Sequence, residues 1–266
     1  MKLKVLVDNN TFIDMYYLGE PAVSYYIEDE GTKILFDTGY SDIFLSNAQK
    51  MNIDLNKLDK IVVSHGHDDH TRGLMYLLKN KIKIELIAHL DCFNHKEVNG
   101  EYIGSPFTKE ELEKVCKLNL SKEPINISKN IIFLGEIPQL VDFEKKHYIG
   151  KCKKDDILID DTVLDDSAIV YKSPKGLFII TGCSHSGICN IIEYAKKVCN
   201  DNLIYGVLGG FHLFDIDERL EKTIEYFEEN NIELLYPCHC VSLLAKVEMT
   251  KKLRINEVGV GLEIKI

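Results

Sequence analysis

The stretch "VVSHGHDDHTRGL", Val62 to Leu74, places His65, His67, Asp68, Asp69 and His70 within six positions. Solvated charge runs mix Lys with Glu. This one mixes imidazole with carboxylate, the donor set of a transition-metal site. His65 and His67 can converge on one cation, and Asp69 and His70 can reach a second. Such donors suit Zn, Mn or Fe better than Ca or Mg.

Three further histidines follow apolar runs. "GLFIITGCSH" brings His185 just past Gly182, "IYGVLGGFH" brings His212, and "IELLYPCHC" brings His239. If those runs are parallel strands, their C-terminal ends share one edge, where ligands gather in α/β folds. Two cations there could share a water and lower its pKa toward neutrality. His212 could be a ligand, but Gly209-Gly210 beside it suggests close approach of substrate and so favours a proton-transfer or phosphate-contact role. Cys183, Cys238 and Cys240 each sit within two residues of a histidine. The other cysteines read as scattered reduced thiols.

Short β-branched runs alternate with amphipathic segments along the chain. Strands are expected at Leu3–Val7, Ser24–Ile27, Lys33–Phe36, Ile61–Ser64 and Ile84–Ala88, and later at Ile131–Leu134, Ala168–Tyr171, Leu177–Thr181, Tyr205–Leu208, Glu233–Tyr236 and Gly261–Ile264. Helices are expected at Ile43–Met51, His70–Leu78, Lys109–Lys117, Ile188–Val198, Glu218–Asn230 and Leu243–Thr250. Thr108 and Glu111 fit a capping box. "YYIEDEGTKILFDTG" reads as a hairpin turning near Glu30-Gly31. The "KCKKDD" run reads as a solvated loop.

Read together, these motifs carry a resemblance. His65-x-His67-x-Asp69-His70 resembles the signature of the metallo-β-lactamase superfamily, and "LFDTG" (Leu35–Gly39) resembles the strand-end Asp that precedes it there. "TGCSHSG" (Thr181–Gly187), "VLGGFHL" (Val207–Leu213) and "YPCHC" (Tyr236–Cys240) follow in order. With "VLVDNNT" at the start, they are similar to the branch named for dihydropterin-ribofuranosylaminobenzene-phosphate synthase. The resemblance implies an α/β (α+β) chain folded as a four-layer αββα sandwich with a two-metal site at one edge. A single domain over 1–266 is expected, with an inserted subregion at about 100–150. His239 resembles the last ligand of the family pattern.

Two departures bear on the ligand set. Where most members carry a bridging Asp after "TG", this chain has Cys183. The stretch Asp160–Ala168, "DDTVLDDSA", holds no His for the usual third motif. His185 could supply the missing imidazole, with Cys183 competing for the place. The metal set is therefore His65, His67, Asp69, His70, His185 and His239. Asp69 and His212 are the catalytic candidates, and Asp37 and Cys183 stand behind the ligands. Asp37 would buttress the His loop through hydrogen bonds. Asp165 and Asp166 could hold metal or substrate, or form a polar turn. Arg72 could approach an anionic substrate or be solvated; His89, His95 and His147 default to surface or core.

The expectation is a hydrolase that uses two divalent transition metals, zinc first and Mn or Fe next, and a metal-bound hydroxide. Its substrate would be a small phosphate ester or phosphodiester. The alternative is the synthase-type condensation, for which Tyr16, Tyr17, Phe107 and Tyr148 could line a pterin pocket. A third reading is a non-hydrolytic redox or metal-carrying protein. With 266 residues and a net charge of −10, the chain favours a small anionic substrate and argues against nucleic acid as partner. No apolar run approaches the roughly 20 residues that span a bilayer. The apolar start is cut short at Asp8, so a cytoplasmic protein is expected. Oligomeric state is not legible.

Overall fold

The computed structural model describes residues 1–80 and 83–266. The chain forms two compact units. The first is Met1–Lys122 with Tyr148–Asp165 and Gly259–Ile266; the second is Glu123–His147 with Asp166–Val258.

The first unit is built on a seven-stranded sheet. Its order is Glu263–Lys265, Lys2–Val7, Ser24–Asp29, Thr32–Phe36, Lys60–Val62, Glu85–Ala88 and Lys117–Leu120. The first four strands pair antiparallel, including the hairpin that turns at Glu30-Gly31. From Thr32–Phe36 onward the neighbours are parallel. Alternate residues Leu35, Ile61 and Leu86 bury one face of this sheet against Phe44 and Ala48 of the helix Ile43–Lys50, as the period-2 and period-3.6 patterns require. A small antiparallel sheet joins Ile157–Asp160, Lys151–Lys154, Lys96–Val98 and Glu101–Tyr102.

The second unit carries a six-stranded sheet of order Leu234–Pro237, Ile204–Gly209, Gly176–Thr181, Ala168–Ser173, Ile131–Phe133 and Ile125–Asn126. Its first three strands are parallel. Helix Ile188–Cys199 places Ile188, Ile191, Ile192 and Ala195 on one face, and helix Glu218–Glu229 does the same with Leu220, Ile224 and Phe227. Both faces pack on Val170, Ile179 and Val207 in a core of the unit's own.

Three local expectations need correction. The helix expected at His70–Leu78 is two short ones, Asp68–Thr71 and Leu74–Leu77. The break falls at Gly73, whose N–H donates to Gly39 O at 3.0 Å because the segment is pressed onto the "DTG" turn. The helix at Lys109 keeps its capping box but stops at Leu112. Beyond it, Lys117–Leu120 joins the sheet as an edge strand, so ladder pairing overrides helical periodicity. "KCKKDD" is exposed but not a loop: Lys151–Lys154 pairs with Ile157–Asp160 across Asp155-Asp156. Both turn residues have left-handed backbones, φ 48° and 64°, the conformation a two-residue hairpin demands. Among the described residues no helix is long and apolar enough to cross a membrane.

Candidate metal centre

Phe36 and Val62 are partners on adjacent parallel strands, so the residues that follow them emerge side by side. Asp37 N donates to Val62 O at 2.9 Å. Its carboxylate then collects the loop: Oδ1 accepts from Ser64 N at 2.7 Å, and Oδ2 from Ser64 Oγ and His70 Nδ1, each at 2.7 Å. Asp37 is fully buried and left-handed, φ 56°. That conformation is uncommon outside glycine and collects at functional sites. Asp37 engages Nδ1 of His70 and so fixes the ring with Nε2 as its other donor atom, the arrangement of metal-ligating histidines.

His65 Nδ1 lies 3.0 Å from Ser64 Oγ, and its Nε2 lies 3.0 Å from His67 Nδ1. Two imidazole nitrogens bound to one tetrahedral zinc at 2.0–2.1 Å stand about 3.3 Å apart. The pair therefore fits one ion with little movement. Burial first, then Lys96, pushes His67 down to about 4, so its ring is neutral near pH 7, as a ligand must be. At His70, burial pulls the other way from the carboxylates of Asp69 and Asp37, and the carboxylates win, holding His70 well above the usual histidine range. A pocket that retains a proton there also favours a metal cation. Asp69 Oδ2 is 3.4 Å from His70 Nε2.

The loop is held from behind by residues that sequence reasoning missed or left open. Asp165 Oδ2 accepts from Gly66 N at 2.7 Å, and its Oδ1 accepts from Lys96 Nζ at 2.8 Å. Lys96 also donates to Asp161 at 2.6 Å. Burial opposes each charge, yet the pairing prevails: Lys96 stays above the ordinary lysine range and Asp165 below the ordinary carboxylate range. A side chain at Gly66 would put its Cβ 1.9 Å from Cys92 O, so only glycine fits between the two histidines. Lys96 carries no signal in "HKEVNG", where it reads as one more surface cation.

In the second unit, the parallel strands Gly176–Thr181, Ile204–Gly209 and Leu234–Pro237 deliver His185, His212 and His239 past their C-terminal ends. Left-handed backbones recur here, at Ser184 (φ 58°), His212 (φ 51°) and His239 (φ 51°). The His185 and His212 rings are 4.6 Å apart between centroids. His212 N donates to Cys240 Sγ at 3.3 Å, and Cys240 Sγ reaches Cys183 O at 3.4 Å. The fold itself requires the double glycine beside His212. A Cβ on Gly209 would meet Thr181 O at 2.2 Å and one on Gly210 would meet Cys240 Sγ at 2.4 Å, so the close approach is by the chain itself. The strand also stops at Thr181, so alternation does not put Cys183 and His185 on one face. Asp166 Oδ2 accepts from Ser186 N at 2.8 Å and steadies this loop. The buried Glu144 accepts from the N–H groups of Cys189 and Asn190, capping a helix whose own N-cap, Gly187, has no side chain to do so.

Arg72 is spent locally: its guanidinium lies 4.3 Å over the Tyr40 ring and donates to the Tyr40 hydroxyl. His95 bonds Glu97 at 2.8 Å, and buried His89 accepts from Asp91 N. Tyr17 and Phe107 pack against the first unit's core, while Tyr16 and Tyr148 project into solvent.

The sequence model of the Metallo-beta-lactamase superfamily matches residues 18–143. An uncharacterized protein of Methanocaldococcus jannaschii, MJ0448, is 36% identical over 97% of this chain and 96% of its own length. The 7,8-dihydropterin-6-methyl-4-(beta-D-ribofuranosyl)-aminobenzene-5'-phosphate synthase of the same organism is 32% identical over 92% of this chain and 89% of its own. The chain belongs to the metallo-β-lactamase superfamily. The crystal structure of Tm1679, a metal-dependent hydrolase of the beta-lactamase superfamily, matches with a TM-score of 0.87 and 29% identity, over 100% of this chain and 99% of that one. The mixed α/β metallo-β-lactamase fold expected from the motifs is thus the fold of this chain. A metallo-β-lactamase fold implies divalent metal binding and, in general, an enzyme. The His/Asp donors of the first unit and the His/Cys donors of the second meet that requirement.

Proposed function

We propose that the protein is a hydrolase of a small phosphate ester or phosphodiester that works with two divalent transition-metal ions. The observation that carries this reading is the convergence of His65 Nε2 and His67 Nδ1 at 3.0 Å, next to His70 locked by Asp37, in a superfamily built around metal-dependent hydrolysis. In this reading 1–266 acts as one domain. In the first unit His65 and His67 converge on one ion and Asp69 and His70 on a second; in the second unit the ligands are His185 and His239. Cys183 stands behind the ligands. When bound, the ions supply the charge that acidifies a water and stabilises the negative charge developing on the substrate. Asp37 keeps the His70 ring oriented throughout, and Asp69 holds its ligand position against the same ring. His212 passes a proton to the departing oxygen.

The test is metal analysis of protein purified without added metal or chelator, followed by a phosphatase, phosphodiesterase and lactonase screen. Close to two equivalents of Zn, Mn or Fe with turnover of a phosphate substrate is the expected result. Protein that contains no transition metal and cannot be loaded with one ends the proposal. A second reading, the dihydropterin condensation, is favoured by the M. jannaschii synthase that matches over most of both chains. Formation of product from a dihydropterin and a ribofuranosyl-aminobenzene phosphate, with no ester hydrolysed in the screen, would replace the first reading by the second.

A further inference from the structure

Within the second unit, His212 forms one wall of a recess of about 390 Å³. Its lining is chemically mixed. Phe143 and Phe214 give it two aromatic walls, and the Phe214 ring stands 4.8 Å from that of His212. Lys145 and Arg219 bring two cations. His147 lies between them in character: partial burial, followed by Arg219, holds it below the usual histidine range, so near neutral pH it offers a hydrogen bond and no charge.

The acceptors nearby are largely committed. Asp217 Oδ1 takes the N–H of Leu220 at 2.9 Å as the cap of helix Glu218–Glu229. Glu144, whose carboxylate feels Arg219, already accepts from two backbone amides. Asp215 is exposed to solvent. Among the described residues, Arg219 Nε is buried with no acceptor in the protein. A buried guanidinium N–H left in this state is costly unless something supplies an oxygen. An anion seated against Arg219, whose side chain lines the recess, accepts from the guanidinium and brings an apolar body against the phenyl rings as well.

We propose that this recess is the substrate's recognition pocket and takes an anionic aromatic group, with Arg219 and Lys145 reading the charge and Phe143 and Phe214 holding the ring. The inference rests on the hydrolase reading only in that His212 links the recess to the reacting phosphate. It narrows the substrate from any small phosphate ester to one whose remote portion is a ring bearing a carboxylate or phosphate.

The test is calorimetry on the zinc-loaded full chain with two phosphonates that cannot be hydrolysed, benzylphosphonate and 4-carboxybenzylphosphonate. The carboxylate should tighten binding about tenfold or more, the ordinary worth of one charge-assisted hydrogen bond. Arg219→Gln should bring the ratio of the two affinities close to one while leaving benzylphosphonate within about twofold, and that second value also shows that the variant is folded. Lys145→Gln should lower the ratio partway. A wild-type chain that does not discriminate, or binds neither compound, overturns the proposal. So does an Arg219→Gln variant that discriminates as the wild type does. Hydrolysis is scored separately. An enzyme that turns over esters without discriminating loses only this inference. A chain that discriminates but hydrolyses nothing keeps it and loses the hydrolase reading.

Discussion

Lys96 donates to Asp165 at 2.8 Å across 69 positions of sequence, both side chains being almost wholly buried. Asp165 passes the constraint on by accepting from the Gly66 amide between His65 and His67. The position of two candidate ligands thus depends on an ion pair that holds the amide between them. Lys96→Met should cost about 3–5 kcal/mol at neutral pH, because it leaves buried carboxylates uncompensated. The pH dependence has a definite sign. In the wild type the Asp165 carboxyl is held below its ordinary value by the pair, so that stabilisation is complete above about pH 4 and is lost on further acidification. In the variant burial raises the Asp165 carboxyl instead, and it is relieved by taking up a proton as pH falls. Urea unfolding of both proteins should therefore show a gap that narrows with acidification. A gap that widens would contradict the assignment.

Asp37→Ala should leave the chain folded but weaken metal binding by about 10–100-fold, the usual effect of losing the group behind a ligating histidine. Competition with a chromophoric chelator measures it. Unchanged affinity would mean that the 2.7 Å contact with His70 does not orient the ligand.

For the "GCSH" loop the expectation is that His185→Ala loses or greatly weakens one metal, whereas Cys183→Ser keeps both. Metal-to-protein ratios on the two variants decide between imidazole and thiolate. The opposite pattern would make the sulfur the ligand and the site one built for zinc.

His212→Ala should reduce turnover by about 100-fold or more, the range of a lost proton donor, with metal content retained. Loss of a full metal equivalent would make His212 a ligand. Its ring, 4.6 Å from that of His185, is close enough for that outcome to be a real contest.

Glu144→Ala should destabilise the protein by about 2–3 kcal/mol, since it orphans the amides of Cys189 and Asn190 at the start of a helix with no cap of its own. Chemical denaturation read by circular dichroism would register it. A change below about 0.5 kcal/mol would show that water replaces the carboxylate without cost.

Much of this was legible in one dimension because it is local. Histidines at alternate positions after an apolar run, three later runs each ending in a histidine, and a hairpin with its turn residues are all sequence-near patterns. Pattern also found the helices Ile188–Cys199 and Glu218–Glu229 within a residue of their ends, since their apolar faces repeat at helical spacing. What the tertiary structure alone decided involves partners far apart in the chain. The helix after His70 breaks because its backbone is claimed by the "DTG" turn, and the segment after Leu112 becomes a strand because a sheet edge is waiting for it. Lys96 looks like any surface lysine until the fold encloses it with Asp161 and Asp165. Arg219 looks like a helix-surface cation until its Nε is buried beside two phenyl rings. A charge's meaning depends on whether water surrounds it, and burial is a property of the folded chain that no short window of residues encodes.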